Sequence, residues 1–266
     1  MLCERIMSFG QRKTILIYED YGCADITILL NELKTYFEPR GYTVGLTNAV
    51  GIIRGHELNE SILAFFMPGG ADTPYRQKLA VQGNHLIRNY VKSGGIYYGI
   101  CAGAYYACRQ TIFEKNIPAL KVIHQCGLNL IDGKAIGTLY KELNISPFDK
   151  NMMSSTAVEV IWNDGQKYIV HYHGGPYFKL SNKKKIDILA YYNLPHKKPA
   201  IISCSYGTGK VIVSGVHFED SGQALSHIFQ KLSFQFKPAQ HVAHQLTASE
   251  QKRRALFERI MSLSHT

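Results

Sequence analysis

The chain has 266 residues, of which 45% are apolar and 11% aromatic, so it can form a substantial core and is not a disordered protein. Lys and Arg outnumber Asp and Glu by 30 to 20, which gives a formal charge of +10. The basic residues lie in short clusters without a nucleic-acid-binding motif, at Lys183–Lys185, Lys197–Lys198 and Lys252–Arg254. We therefore expect these clusters on solvated faces, and no nucleic-acid partner.

The cysteines and the apolar runs indicate the compartment. None of the six cysteines lies in a Cys-x-x-Cys pair or at a spacing typical of a zinc site. Residues 1–13 lack the apolar segment of a signal peptide, and no apolar run approaches the ~18 residues of a membrane span. Gly207–Lys210 is too short for a phosphate-binding loop. We expect a cytoplasmic protein with reduced thiols, no membrane partner, no metal and no cofactor.

Strands and helices alternate in the first half of the chain. Residues 1–13 form a polar arm, and apolar runs then predict four strands, over Thr14–Tyr18, Tyr42–Thr47, Ile62–Met67 and Ile96–Ile100. Helical spacing separates them, first from Asp25 to Pro39 and again from Leu79 to Val91. This alternation predicts a parallel sheet with helices on both faces.

The second half contains strands with few helices between them. They are predicted over Ala157–Trp162, Tyr168–Tyr172, Ile188–Tyr192, Ala200–Tyr206 and Lys210–Val216, and the last two form a hairpin. A helix around Leu225 follows, then a connector over 237–246 and a last helix opened by a capping box at Thr247–Glu250. We predict a doubly wound, mainly parallel, flavodoxin-like α/β sheet with an antiparallel extension, over 14–236, and a connector and helix over 237–266.

The stretch around Cys101 has the pattern of a nucleophile elbow. A buried strand leads into Gly99-Ile100-Cys101-Ala102-Gly103, and helix-forming residues follow at once. The two flanking glycines allow strand and helix backbones to approach closely. Cys101 would lie at a helix N-terminus, where unpaired N–H groups favour a thiolate. A buried structural cysteine after a core strand is the alternative interpretation.

A cysteine nucleophile needs a base, and the base needs a group that orients it. His217 follows a predicted strand, and Glu219 lies two residues later on the same side of an extended segment. The N–H of Ala102 and an N–H from Gly69 or Gly70 would form an oxyanion hole. His171 and His173 also share one face of a strand, but no third metal ligand lies at a telling spacing.

These motifs resemble a known family. The sequence is similar to the class I glutamine amidotransferase superfamily, and more closely to the amidotransferase-like N-terminal domain of eukaryotic-type biotin–protein ligases, which also occurs as a stand-alone protein. The resemblance runs from Thr14 to Leu232, and five motifs carry it: Met67–Tyr75, Gly94–Cys108, Tyr172–Phe178, Tyr206–Gly215 and Gly215–Glu219.

The resemblance implies a Cys-His-Glu triad of Cys101, His217 and Glu219, and a site-facing loop of Gly69, Gly70, Ala71 and Asp72. Related elbow proteins of the DJ-1/PfpI kind place an acid at the position of Glu19 to activate the thiol. Tyr105 and His173 are further auxiliary candidates, although helix packing accounts for Tyr105. The Arg/Gly-rich adenylate loop of the ligase domain is not found in this sequence, so we expect no biotin ligation by this chain.

Two main functions remain open from the sequence. One is a cysteine hydrolase or amidotransferase that acts on a carboxamide or related carbonyl, with a small-molecule substrate and an acceptor that a partner protein could supply. The other is a non-catalytic module that binds a small molecule or regulates a partner. A redox-response protein that uses Cys101 is a third, weaker alternative.

Overall fold

The computed structural model describes residues 13–125, 127–182, 185–232 and 237–265. The predicted N-terminal arm therefore lies outside the described residues, apart from Lys13. The strands are β1 (Thr14–Tyr18), β2 (Thr43–Thr47), β3 (Ile62–Met67), β4 (Ile96–Ile100), β5 (Cys108–Phe113), β6 (Val122–Gln125), β7 (Ile131–Gly137), β8 (Thr156–Trp162), β9 (Lys167–Tyr172), β10 (Tyr177–Leu180), β11 (Asp187–Tyr192), β12 (Lys198–Tyr206) and β13 (Gly209–Ser214). The helices are α1 (Thr27–Phe37), α2 (Ala49–Ile53), α3 (Asp72–Lys92), α4 (Ala102–Ala107), α5 (Gly222–Leu232), α6 (Lys237–Ala248) and α7 (Glu250–Ser262).

A large mixed sheet forms the centre of the fold. In the described residues it has nine strands in the order β2-β1-β3-β4-β13-β12-β11-β8-β9. The pairs from β2 to β13 are parallel, and those from β13 to β9 are antiparallel. This confirms the predicted mainly parallel, doubly wound sheet with an antiparallel extension. The carboxyl ends of β3, β4 and β13 are adjacent, so the residues after these strands meet at one edge.

Both faces of the sheet are covered. Ile15 and Ile17 of β1 belong to one hydrophobic cluster, whereas Leu16 and Tyr18 belong to another, as alternating side chains require. Helices α1 and α7 pack on the first face, and α3 and α4 pack on the second. Both faces of the central strands are therefore buried, which explains why β3 and β4 are apolar throughout.

A second sheet lies beside α4, and the sequence analysis did not predict it. Its four described strands run in the order β10-β7-β5-β6. In β7 buried and more accessible residues alternate, and Gly133 and Gly137 interrupt the apolar side. The pattern is therefore too weak to predict a strand from the sequence alone. This sheet places Thr111, Phe113 and Val122 beside Cys101.

The C-terminal segment differs from the prediction in two respects. The expected connector over 237–246 is helical, as part of α6. Thr247, the predicted cap, lies inside α6 and donates its hydroxyl to the Ala243 carbonyl, while α7 begins at Glu250, so the predicted capping box is absent. The predicted boundary at 236 falls on residues 233–236, outside the described part. Among the helices that the structure describes, none combines the length and the apolar character needed to cross a bilayer.

Candidate active site

The backbone turns sharply at Cys101, between β4 and α4. Cys101 has φ 48° and ψ −103°, a strained conformation for a residue with a side chain. A Cβ at Gly99 would lie 2.7 Å from the carbonyl oxygen of Gly103, and one at Gly103 would lie 2.1 Å from that of Met67. Both glycines are therefore required by the close approach of β3, β4 and α4.

Cys101, His217 and Glu219 lie together at the carboxyl edge of the large sheet. His217 Nδ1 is 2.8 Å from Glu219 Oε1, so the ring donates to the carboxylate. The imidazole also interacts with the side chain of Cys101. Both pack against Gly69, where a Cβ would lie 3.0 Å from His217 Cε1 and 3.7 Å from Cys101 Cβ. Residues that are 116 positions apart in the sequence thus form one cluster.

The charges of this cluster favour a protonated imidazole. Burial alone would lower the pKa of His217, but the Glu219 carboxylate and the sulfur of Cys101 outweigh it and raise that pKa well above its usual value. Burial raises the pKa of Glu219 against the attraction of His217. Glu219 Oε2 is buried and has no hydrogen-bond partner in the described residues, which contributes to the cost of its charge.

A second hydrogen-bonded chain, which the sequence analysis missed, lies beside His217. His171 Nδ1 is 2.6 Å from Asp220 Oδ2, and His171 Nε2 is 2.5 Å from Ser155 Oγ. The backbone N–H of His217 donates to the carbonyl of His171 at 2.9 Å, and the two ring centroids are 5.3 Å apart. Burial lowers the pKa of His171 despite Asp220, so His171 is neutral where His217 is charged. Only the position of Asp220 next to Glu219 could have indicated this chain.

His171, His217 and Asp220 also offer ligand atoms within 4.8 Å of one another, a spacing compatible with a metal ion. However, both ring nitrogens of His171 already have hydrogen-bond partners, and Nδ1 of His217 faces Glu219. The protein's own hydrogen bonds therefore satisfy these groups, and we do not assign them as metal ligands.

The auxiliary candidates have different positions. The carbonyl oxygen of His173 is 3.5 Å from Cys101 Sγ, but its imidazole Nε2 lies 2.9 Å from the Asp149 carbonyl and so contacts no reacting group. Tyr105 donates its hydroxyl to the carbonyl of Gly174 at 3.1 Å, which fixes the rim of the site. Glu19 is exposed and lies outside the residues that line the cavity at Cys101. The expected proximity of Glu19 to Cys101 therefore gains no support.

A cavity of about 310 Å³ opens at Cys101. Gly70 and Ala102 line it, and their backbone N–H groups have no acceptor among the described residues. Gly70 has φ 135°, and a Cβ there would lie 2.1 Å from the carbonyl oxygen of Gly22. Ala71 and Asp72 line the same cavity, although the Asp72 carboxylate accepts hydrogen bonds from Arg76 and Thr111. Both residues that were expected to supply oxyanion donors therefore line the cavity, and each has a backbone N–H that no described group accepts.

A second cavity, of about 380 Å³, lies on the other side of His217. His171, His217, Glu219 and Asp220 line one wall, and apolar residues of α1 and α5 line the other. Lys150 lines both cavities and is exposed. Cys101 thus lines the first cavity and His217 lines the second, and the two cavities share Lys150 as a lining residue.

Comparisons with known proteins place this arrangement in context. The family described as "Biotin-protein ligase, N terminal" matches residues 13–265. The chain is 30% identical over 259 residues to an uncharacterised protein of Chlamydia muridarum, across 93% of this chain and 95% of that one. It is 26% identical over 218 residues to a biotin–protein ligase of Schizosaccharomyces pombe, across 79% of this chain but only 34% of the ligase.

Solved structures agree on the architecture. A glutamine amidotransferase of Thermotoga maritima superimposes with a TM-score of 0.60 at 11% identity, over 96% of this chain and 99% of that one. Another glutamine amidotransferase gives a TM-score of 0.54 at 15% identity, over 82% and 97% of the two chains. These similarities establish a glutamine-amidotransferase-like fold and no more. Because the family match extends over nearly the whole chain, the protein belongs to the family of the N-terminal domain of biotin–protein ligases.

Proposed function

We propose that the protein is a cysteine-dependent hydrolase or amidotransferase-like enzyme that acts on a carboxamide or a related carbonyl compound. The observation that carries this proposal is that Cys101 and His217 both lie against Gly69, where a Cβ would be 3.7 Å from Cys101 Cβ and 3.0 Å from His217 Cε1, while Glu219 holds the ring of His217 at 2.8 Å. An imidazolium beside a sulfur atom stabilises the thiolate, the form that attacks carbonyl carbon. The unpaired N–H groups of Gly70 and Ala102 supply donors for the oxyanion.

The reaction follows from these positions. The sulfur of Cys101 attacks the carbonyl carbon, a C–S bond forms, and the negative oxygen accepts hydrogen bonds from Gly70 and Ala102. His217 then gives its proton to the leaving nitrogen, and the C–N bond breaks to release the amine or ammonia. Water, deprotonated by His217, attacks the thioester and releases a carboxylic acid and the free thiol. An amine acceptor supplied by a partner protein would replace water in a transfer reaction.

Alkylation by iodoacetamide near neutral pH tests this proposal without a known substrate. Cys101 should react well before Cys108 and Cys204, since burial raises the pKa of both, that of Cys204 to about 11. His217→Gln should slow the reaction of Cys101 by about 10²-fold, since the assisting base is lost.

His173→Gln is the matched control, because that ring faces the Asp149 carbonyl and should leave the alkylation rate nearly unchanged. If Cys101 reacts no faster than Cys108 and Cys204, or if His217→Gln leaves its rate unchanged, the proposed nucleophile is wrong.

A non-catalytic module is the second candidate. The similarity to the S. pombe ligase covers about a third of that protein, so a related segment exists as one part of a larger chain. If the protein is such a module, the cavity at Cys101 binds a small molecule. The Cys101→Ala variant should then still bind this molecule, and the wild-type protein should not convert it.

We propose a reducing, cytoplasm-like compartment for either function. The unpaired state of four cysteines fits this proposal: Cys23, Cys101, Cys108 and Cys204.

A further inference from the structure

We propose that the cavity at Cys101 takes an apolar acyl group, so that the substrates are carboxamides of medium-sized aliphatic or aromatic acids rather than an amino-acid carboxamide such as glutamine. This inference rests on the proposed function, since it names the part of the substrate that lies in front of the reactive sulfur.

Apolar side chains from five parts of the chain converge on this cavity. They are Tyr105 of α4, Phe113 of β5, Val122 of β6, Leu120 in the connection between those strands, and Phe148. The rings of Tyr105 and Phe113 meet edge to face with centroids 5.8 Å apart, and those of Phe113 and Phe148 are 5.3 Å apart. An aromatic wall of this kind offers a bound acyl chain dispersion contacts and removes it from water.

The polar side chains of the cavity already have hydrogen-bond or ion-pair partners, either in the cavity wall or beside it. Thr111 donates its hydroxyl to Asp72 at 3.0 Å, and Arg76 Nε lies 3.2 Å from the same carboxylate. The Thr73 hydroxyl is 2.9 Å from His124 Nε2. The wall thus lacks a free pair of opposite charges to hold the α-ammonium and α-carboxylate groups of an amino acid, and placing those ions against it would cost free energy.

Lys150 is the other charged residue of the lining, and it is exposed and shared with the second cavity. It therefore lies at the rim, outside the apolar part. The volume of about 310 Å³ is at the lower end of the ~300–1,000 Å³ range of small-molecule sites. A single acyl group of moderate length fits such a space.

The positions of the two cavities indicate where each half of the substrate binds. The carbonyl oxygen must face the N–H groups of Gly70 and Ala102, which lie in the first cavity with the apolar wall. His217 must reach the leaving nitrogen, and His217 lines the second cavity. The acyl group therefore enters the apolar side, and the departing amine leaves on the side of His171 and Asp220.

The test measures binding and turnover separately. Binding of acetamide, butanamide, hexanamide, benzamide and glutamine to the Cys101→Ala variant is measured by calorimetry, and ammonia release from the same compounds is measured with the wild-type protein. Affinity should rise about fourfold per added methylene group until the cavity is full. Hexanamide and benzamide should bind more tightly than glutamine.

Two variants of the wall test the location. Ala119→Trp, at an exposed position of the lining, should abolish the gain with chain length, and Leu120→Gln should reduce it severalfold. Val81→Gln is the control, because Val81 is an 82% exposed apolar residue outside the lining. Circular dichroism shows whether each variant is folded.

The outcomes separate this inference from the proposed function. A chain-length dependence without ammonia release would uphold the acyl cavity and overturn the proposed catalysis. Ammonia release from glutamine, with no gain from longer chains, would uphold the catalysis and overturn the acyl cavity. If Ala119→Trp leaves the dependence on acyl length intact, the proposed acyl cavity is also wrong, because the acyl group would then bind elsewhere.

Discussion

The guanidinium of Arg253 donates a 2.8 Å hydrogen bond to the backbone carbonyl of Phe218, the residue between His217 and Glu219. It donates a second, of 3.2 Å, to the carbonyl of Glu219 itself. Arg253 is fully buried in α7, and the carboxylates of Glu250 and Glu32 balance its charge at 2.6 Å and 3.3 Å. The C-terminal helix therefore holds the backbone that carries two of the three proposed catalytic side chains.

Arg253→Met should destabilise the protein and slow alkylation of Cys101. Two buried carbonyls would lose their donor, and two carboxylates would lose their counter-charge, so we expect a loss of about 3 kcal/mol in unfolding free energy. Urea denaturation measures this change in unfolding free energy. The neighbouring exposed Arg254, 3.7 Å from Glu258, is the matched control, and Arg254→Met should cost less than about 1 kcal/mol. Equal losses for the two variants would contradict the role of Arg253.

Glu219→Gln should lower the pKa of His217, because the carboxylate charge holds that pKa up against burial. The amide keeps the shape of the side chain, so the ring should stay in place while its proton is lost at lower pH. NMR titration of the histidine Cε1–H signals measures the change. The control is Glu159→Gln, since Glu159 pairs with Lys167, away from the site. An unchanged His217 titration would show that Glu219 does not control its charge.

Asp220→Asn should cost about 2 kcal/mol in unfolding free energy, because His171 would lose a 2.6 Å bond to a charged partner. Ser155→Ala should cost about 1 kcal/mol, since it removes a bond to a neutral hydroxyl. Both values come from chemical denaturation at pH 7.5. A larger loss for Ser155→Ala than for Asp220→Asn would mean that the hydroxyl, and not the carboxylate, holds the ring of His171.

His173 should make the protein sensitive to acid. Burial, with a smaller contribution from His171, lowers the pKa of His173 to about 4, below the ~6.5 of an unfolded chain. The contribution of neutral His173 to the unfolding free energy is therefore complete above pH 6.5 and is lost as the pH falls toward 4. At pH 5 the loss is up to about 2 kcal/mol, reduced by the solvent that reaches the half-buried ring.

His173→Phe should retain the ring contact with Phe148, whose centroid lies 4.9 Å away, and should remove part of this acid loss. Chemical denaturation at pH 7.5 and pH 5 measures how much unfolding free energy each variant loses on acidification. Part of the loss should persist, since burial also lowers the pKa of His171. His56→Gln, at an exposed position, is the control. If the two variants lose the same free energy on acidification, His173 does not carry the effect.

Gly69→Ala should reduce the reactivity of Cys101 without unfolding the protein. The new methyl group would lie 3.0 Å from His217 Cε1, so the ring must shift and its alignment with Cys101 changes. Displacement by a few tenths of an ångström should slow alkylation, and one of about 1 Å can cost about 10²-fold. Gly45→Ala is the control, because its nearest contact, at 3.4 Å, is to a Leu16 methyl group. Equal rates in both variants would contradict a fixed Cys101–His217 pair.

The elbow and its neighbours could be predicted because their signals are local. An apolar run, two glycines and a cysteine define the turn at Cys101, and the i, i+2 spacing of His217 and Glu219 places both on one side of the chain after β13. The parallel order of β3, β4 and β13 then follows from the general behaviour of α/β sheets.

The features that were missed depend on tertiary contacts. Ser155 precedes β8, His171 lies in β9 and Asp220 follows β13, so the three residues meet only when the sheet has formed. The position of Asp220 next to Glu219 is the one local sign of this chain. The prediction that Lys252–Arg254 is a solvated cluster is wrong for Arg253, which is fully buried, because its carbonyl and carboxylate partners come from distant segments. Charge alone cannot reveal such a partner.

The hydrogen bonds from Arg253 to the carbonyls of residues 218 and 219 affect the order in which the site forms during protein synthesis. Synthesis proceeds from the N-terminus, so the thiol-bearing turn and His217 are made before Arg253, which lies 34 positions beyond Glu219. Until α7 docks, the acid and the imidazole lack their backbone anchor, and the sulfur lacks an aligned partner. A nascent chain on the ribosome would thus carry a dormant nucleophile, and reactivity would arise late, in step with the docking of that helix.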